Sequence, residues 1–560
     1  DILSGIGTES LTATSGNSGS QYWVILDPDS DNTLDLNLSY AGNQTITSDI
    51  STTGNYGYGF WMKENDSSTI TINADISTSG SNAYGFVSES SDSNTIRING
   101  DISTTGTSAS AFYNALSTGN NTTIVGDITT QGTGAQGIFQ FGSDSNTTSL
   151  TGNISATQGN GIVISSSDGN TTSIVGNITT SGTNTAALLV TNSDSNVTTI
   201  TGNITTSGYA GRGIYFSDAL GLTNNSNTVT LTGNIATSGN NSQGIYLANS
   251  DSNILNITGD ISTSGTDGES EGIALKNSDF NTFNIAGKVE STGGDEAIRI
   301  DSTSNANTFN LNTGTDLVGG FNNAGAYTEI TNQGTIDTLT NSGNMTTFDN
   351  LGSISTIRNI GSINTLNNSE TTSLLTNLGS IDTLTNSGTV SSFNNLGAIT
   401  SVSNSGTITT FTNLSEILSV ANSGTITTLN NLESGLEFSE TLPVNYNVIF
   451  RNQGANYGKL FVTSASGSTE LNIASISNVQ TGIYNNLITG VSSEKIINKT
   501  GTLNGDGISS VGSVNWTLEE SSSGSGVWNL DVDGTYNYFG SVAILQNTIN
   551  NTANAMRGAF

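Results

Sequence analysis

Residues 69–94 read TITINADISTSGSNAYGFVSESSDSN, and this stretch decides the fold. It holds three short runs. Thr69-Ile70-Thr71-Ile72 alternates polar and apolar, Asp75-Ile76-Ser77 follows a small residue, and Tyr84-Gly85-Phe86-Val87 comes third. Runs of three to five residues with period-two alternation, bounded by Gly and Asn, make strands and turns rather than helices. The phrase then returns. Its Ile falls at Ile50, Ile76, Ile102, Ile128, Ile154, Ile178, Ile204, Ile235 and Ile261, with Val289 in the same role. Most steps are of about 26 residues, a period that marks a stacked-repeat architecture. The longer step from Ile204 to Ile235 is expected to carry a loop around DALGLTNN, 218–225.

Three strands per repeat, with no segment long enough for a helical crossover, predict a parallel β-helix. Each coil adds one strand to each of three sheets. Ile76, Ile102 and Ile128 then form one inward column. Neighbouring strands lie about 4.8 Å apart, so ten coils make a rod of roughly 50 Å. A single coil cannot bury its own apolar face, so stability comes from its neighbours.

A second array keeps a shorter beat. Residues 404–432 read NSGTITTFTNLSEILSVANSGTITTLNNL. Ile336, Met345, Ile354 and Ile363, then Ile381 to Ile426, occupy a nine-residue grid in which Thr372 is the polar exception. Leu339, Phe348, Ile357 and their successors hold a second grid, and Asn341, Asn350, Asn359 and theirs a third. After each Asn, Ser and Leu alternate (Ser369, Leu378, Ser387, Leu396), which doubles the period to 18. Two nine-residue faces per coil account for this, and a three-faced, 27-residue coil ranks second. The expected class is therefore all-β: a right-handed parallel β-helix, or β-solenoid, with a C-terminal β-rich cap and a short terminal helix. The expected divisions are an N-terminal cap (1–40), 26-residue coils (41–315), a thinner 9/18-residue solenoid (316–435), a β cap (436–535) and a helix (536–560).

Composition narrows the function. Among 560 residues, 45 are acidic and 12 basic, a net charge of -33, which repels nucleic acid and anionic membranes. Hydrophobic residues are only 33%, yet their periodicity argues for a core rather than disorder. The chain has no Cys, hence no disulfide framework or thiolate metal site. It has no His, which removes Ser-His-Asp triads and His-ligated metals. Its two prolines, Pro28 and Pro443, lie outside the repeats. No apolar stretch reaches the roughly eighteen residues of a membrane span. The start at Asp1 fits a processed product.

The corner residues have two readings. Asn94, Asn120, Asn146, Asn170, Asn196, Asn227, Asn253 and Asn281 stack at one corner, where Asn tolerates left-handed backbone and its amides can bond along the stack. Glycines such as Gly54, Gly80, Gly106 and Gly132 mark another. Asp92, Asp144, Asp194, Asp251 and Asp279 recur at SDSN, and an oxygen-rich repeat can bind Ca²⁺. The tandem G-G-x-G-x-D signature is absent and Thr118 interrupts the series, so turn chemistry ranks above a calcium ladder. Carboxylate pairs are the remaining catalytic option. The best cluster is Asp267, Glu269 and Glu271 with Asp295 and Glu296 one coil on, where Glu269 and Asp295 should approach, and Lys276, Lys288 and Arg299 are nearby. A solvated charged face is the preferred reading. Tyr56, Tyr58, Phe60 and Trp61 read first as core and second as a sugar-stacking surface.

Past residue 436 the repeats are expected to stop. VNWTLEESSSGSGVWNLDV suggests a hairpin anchored by Trp516 and Trp528, with Glu519-Glu520 as loop, and Ile544, Leu545, Ile549 and Met556 suggest a helix. A Ser/Thr/Asn/Gly β-helix with NSGTI repeats, then YGKL and WNL phrases, then an Asn/Ala-rich helix, resembles the passenger of a bacterial autotransporter (type V secretion). The resemblance is one of architecture and composition over most of the chain and carries no catalytic motif. It implies that 436–535 is an autochaperone-like cap and that the helix leads to an outer-membrane β-barrel translocator, whose alternating ten-residue strands are not among these 560 residues.

The expected function follows: a non-catalytic, cell-surface or secreted rod with an adhesive or structural role. Its partners would be a host or neighbouring cell surface, glycans or copies of itself. The alternatives are a surface-layer protein packing into a lattice and a carbohydrate-active β-helix enzyme.

Overall fold

The computed structural model describes residues 43–218, 225–504 and 510–535, with the short strands Ile25–Leu26, Leu34–Asp35 and Asn537–Tyr538. The rest of the expected N-terminal cap, residues 219–224 of the expected loop and the expected helix residues Ile544 to Met556 lie outside the described residues. The chain is nearly all β and parallel, a β-helix-like solenoid of stacked strands. It divides into two compact units, Asp1–Phe321 and Asn322–Phe560.

In the first unit each coil gives three strands, and each pairs in parallel with its counterpart one coil away. Thr69–Ile72 pairs with Thr95–Asn99, Ile76–Thr78 with Ile102–Thr104, and Phe86–Glu89 with Phe112–Ala115. Ile76, Ile102 and Ile128 are register partners and fully buried. Each such side chain contributes about 2 kcal/mol by leaving water. Inside the third ladder, Phe60, Phe86 and Phe112 stack with ring centroids 5.1 and 5.4 Å apart. The 31-residue step leaves the register intact, since Ile204 still pairs with Ile235.

Polar columns hold the corners. In the second strand Ile points in, Ser or Thr out and Thr in; the buried Thr130 and Thr206 hydroxyls donate across the next turn to Ala135 and Gly211 carbonyls at 3.0 and 2.8 Å. The SDSN asparagines are buried, and the left-handed residue is the one before them: Ser93, Ser145 and Ser195 have φ near 58°. Asn cannot serve at the outward turn because its amide is engaged inside. Asn120 Oδ1 accepts the Asn94 N–H at 2.8 Å, and Asn120 Nδ2 donates to the Ser91 carbonyl at 2.7 Å.

In the second unit, seven-residue strands alternate between two ladders. Thr335–Asn341 pairs with Ser353–Asn359, and Asn344–Asn350 with Ser362–Asn368. Each strand therefore pairs with the next but one, which makes an 18-residue coil of two faces. Three positions per strand face inward: the Ile, the Leu or Phe, and the Asn. The buried asparagines bond along the stack. Asn341 Nδ2 donates to Asn359 Oδ1 and Asn359 Nδ2 to Asn377 Oδ1, both at 2.8 Å. Thr372, polar in an Ile column, is buried with its hydroxyl donating to Asn368 Oδ1 at 2.9 Å.

The parallel stack does not stop at 436. Leu436–Glu440 and Asn445–Val448 continue the two ladders, and Leu460–Val462 and Glu470–Ile473 follow them. Antiparallel pairing then takes over: Gly482–Thr489 with Val527–Gly534, and Ser513–Glu520 with Val527–Gly534. Turning antiparallel at this end covers an edge that would otherwise pair with another chain. Glu519 and Glu520 belong to the strand. Glu520 accepts the Gly524 and Gly526 N–H groups at 3.0 and 2.7 Å, fastening the hairpin turn.

Candidate functional site

The third ladder of the first unit carries the least uniform outer face. One step past its inward Ile or Phe, register partners run Trp61, Val87, Tyr113, Phe139, Val163, Leu189, Tyr215, Tyr246, Ala274 and Arg299. This column is mostly aromatic and aliphatic, and its smaller members Val87, Val163 and Ala274 are covered by their neighbours. At its start, Tyr58, Tyr84, Tyr113 and Phe139 lie 4.9 to 5.5 Å centroid to centroid, and Trp61 Nε1 donates to Glu89 Oε2 at 3.1 Å. The four N-terminal aromatics therefore divide: Phe60 is core, Tyr58 and Trp61 face outward, and Tyr56 is 60% exposed.

Burial in this stack, reinforced by Tyr84, pushes the Tyr113 hydroxyl up to about 12. An unfolded tyrosine ionises near pH 10. Between those values the unfolded chain binds fewer protons, so stability falls as pH rises. Urea unfolding at pH 9 and 11 should show a larger loss for the natural chain than for Tyr113→Phe. Equal losses would mean that the ring is not held in the stack.

At the other end the acidic cluster meets the column. Arg212, Gln243, Glu271 and Glu296 hold equivalent register positions, two residues before the inward Ile. Arg212 Nε donates to Gln243 Oε1 at 3.0 Å, and its guanidinium lies 4.6 and 5.0 Å from the centroids of Tyr215 and Tyr246. Glu271 is only 3% exposed. Its Oε1 accepts from Arg299 Nη1 at 2.8 Å, and Gln243 Nε2 approaches its Oε2 at 3.4 Å. Burial holds the Glu271 carboxyl above the usual range, against its own backbone N–H and Arg299. Arg212, Gln243, Tyr246, Glu271 and Arg299 border a cleft of about 290 Å³ that also reaches Asn241, Glu269, Ala274, Lys276 and Asp301.

The rest of the cluster lies beside the cleft. Asp295 Oδ2 accepts the Ser270 N–H at 2.9 Å, and Asp267 Oδ1 accepts from the Ser270 hydroxyl at 3.0 Å. Ser270 thus links those two carboxylates, while Glu269 enters through its carbonyl, which accepts from Gln243 Nε2 at 2.6 Å. No hydrogen bond joins the Glu269 and Asp295 side chains among the described residues. Lys288 pairs instead with Glu290.

The five SDSN aspartates have a common geometry. Asp92, Asp144, Asp194, Asp251 and Asp279 each present one carboxylate oxygen to a backbone N–H of the next coil, at 2.6 to 2.8 Å. Among the described residues no group of three or more acidic side chains converges as a metal cage. The residue before the repeating Ile does the same work on another corner: Asp75 Oδ1 takes the Asp101 N–H at 2.8 Å, and Asp101 Oδ1 the Asp127 N–H at 2.7 Å.

No protein-family model matches the chain, and no curated protein matches it. Arg212, Gln243 and Tyr246 stand outside any carboxylate search of the sequence, and Asp301 lies beyond the cluster that such a search favours. Aligning the coils on their inward Ile would have placed Arg212, Gln243 and Glu271 in one column.

Proposed function

We propose that this chain is the surface-displayed or secreted passenger of a type V secretion system, an autotransporter passenger with an adhesive or structural, non-catalytic role. The observation that carries this reading lies in the second unit, where a parallel stack that continues through Glu470–Ile473 gives way to an antiparallel cap at Gly482–Thr489 and Val527–Gly534. A stack that grows rung by rung on such a cap suits a chain that folds after emerging through a membrane. The net charge of -33 and the Ser/Thr/Asn exterior keep such a surface hydrated. In the acidic cluster, both Glu271 oxygens face donors, Arg299 and Gln243, which suits recognition better than proton transfer.

A second reading, lateral packing into a surface layer, draws on the second unit. Ile360, Leu378, Leu396, Leu414 and Leu432 recur once per coil along one corner and stay partly exposed. Antibody labelling of intact producing cells, with and without external protease, tests the location. Surface signal that protease removes supports the proposal, and signal only after lysis overturns it. A close-packed lattice in tomograms of those cells would select the second reading.

A further inference from the structure

We propose that the first-strand face of the first unit binds ice, through an in-register lattice of β-branched side chains. This goes beyond the adhesive reading above and rests on the geometry of the first unit alone. Consecutive coils build the lattice. Along one edge of the face the outward register partners are Thr147, Thr171, Val197, Thr228 and Ile254, and along the other Thr151, Val175, Thr201, Thr232 and Thr258. Every one is β-branched, and Thr and Val share one forked outline, with a hydroxyl in one where the other has a methyl. Val175, Val197 and Ile254 are 51%, 43% and 41% exposed, so apolar surface is left open to water at regular steps. Among the described residues, no hydrogen bond ties the Thr hydroxyls of these two columns to the protein.

Strand propensity favours such residues one at a time. It does not explain the corner beside them, which changes over the same coils. The residue before the repeating Ile is Asp75, Asp101 and Asp127, then Asn153, Asn177, Asn203 and Asn234, then Asp260. Either side chain makes the same bond: Asp101 Oδ1 accepts the Asp127 N–H at 2.7 Å, and Asn177 Oδ1 the Asn203 N–H at 2.8 Å. The exchange therefore removes charge and keeps the bond. Between the two columns the outward residues are Ser149, Ser173, Thr199, Thr230 and Asn256, so the face is uncharged on a chain of net charge -33.

A neutral lattice of methyl and hydroxyl groups selects its ligand by exclusion. It offers nothing to a charged surface. Sugar rings seek aromatic faces, and these columns hold none; the stacked outer aromatics of this unit stand on its third ladder. Water remains. Methyl groups order the first water layer without bonding to it, and hydroxyls anchor that layer by direct hydrogen bonds. Rungs about 4.8 Å apart, and columns about 6.6 Å apart along the strand, impose a two-dimensional repeat on the layer. Repeats of similar size in perpendicular directions occur on the prism face of hexagonal ice, so the ordered layer can merge with a growing crystal.

The test follows the full chain, fluorescently labelled, into a slowly growing ice hemisphere, and follows crystal shape in an osmometer. The natural chain should enter the ice, and single crystals should become faceted. Thr201→Lys, at the middle rung, should lower the incorporated fraction tenfold or more. Thr201→Val should keep it within about twofold, as should Thr205→Lys, on the outward second-strand position of the same coil. The double change Asn177→Asp with Asn203→Asp preserves the corner bonds and should also lower incorporation, which keeps the test open if Thr201→Lys unfolds. Exclusion of the natural chain from ice, to the level of serum albumin, would overturn the proposal, as would equal losses in Thr201→Lys and Thr205→Lys. Retention on crystalline cellulose or chitin without ice uptake would assign the face to a polysaccharide instead. A dimer that Thr201→Lys dissolves, again without ice uptake, would assign it to a second copy. Ice uptake with failed cell labelling removes the surface location and leaves the face standing; the converse pattern removes the face alone.

Discussion

Asn359→Leu should destabilise the second unit by about 3 kcal/mol, even though it buries more apolar surface. Asn359 is fully buried. Its Oδ1 accepts from Asn341 Nδ2, and its Nδ2 donates to Asn377 Oδ1 and the Ser380 carbonyl, each at 2.8 Å. Leucine leaves two acceptors short of a donor and one donor short of an acceptor. Each buried polar group left so costs about 1–3 kcal/mol. Urea unfolding measures the loss. Asn359→Asp extends the test, because its carboxylate would face the acceptors Asn377 Oδ1 and Ser380 O. Burial raises the folded-state pKa of such a group, so ionisation opposes folding and stability should recover as pH falls through that raised value. A neutral effect of leucine would show that the amide column is incidental to stability.

Gly106→Ala should cost about 3 kcal/mol or more, the upper range for overpacking. A Cβ at Gly106 would land on the Gly80 carbonyl of the adjacent coil, and a Cβ at Gly132 on the Gly106 carbonyl. Both obstacles are backbone, so relief requires parting the rungs. The cost is steric rather than torsional, because the φ of Gly106 is not in the left-handed region. Gly119 is the contrast. Its φ is +71°, but a Cβ there meets only Ser93, the hydroxyl at 3.6 Å and the backbone nitrogen at 4.0 Å, both ordinary contacts. Equivalent positions already carry Ser93 and Ser145, so Gly119→Ser should cost about 1 kcal/mol. Thermal unfolding of the two variants side by side checks the ranking, and equal losses would refute it.

The fold was legible in the sequence because a solenoid writes its geometry into its period. Ile76, Ile102 and Ile128 are one coil apart in the chain and neighbours in the structure. The strand through Trp516 shows how composition can mislead. Glu519-Glu520 suggests a loop by its charge, yet the inward series Val514, Trp516 and Leu518 carries the strand through Glu520. The corners were legible only by residue type. Ser93 and Asn94 are both turn formers, and nothing local tells which takes the left-handed backbone and which is buried. The cleft was half legible. Its carboxylates stand out in the sequence, but Arg212 joins them only through contacts with the next coil, across the 31-residue step that disturbs the period.

The central claim is the in-register stacking of successive coils, and disulfide trapping tests it most directly in a chain that has no natural cysteine. Ser103 and Thr129 are outward register partners, as are Thr376 and Asn394. Parallel neighbours about 4.8 Å apart fall within the span a disulfide accepts. Under mild oxidation the 103/129 and 376/394 cysteine pairs should close nearly completely. The 103/155 pair, two rungs apart, and the 376/403 pair, set for a 27-residue coil, should stay reduced. Closure of 376/403 in place of 376/394, or of 103/155 as readily as 103/129, would contradict the stacking described here.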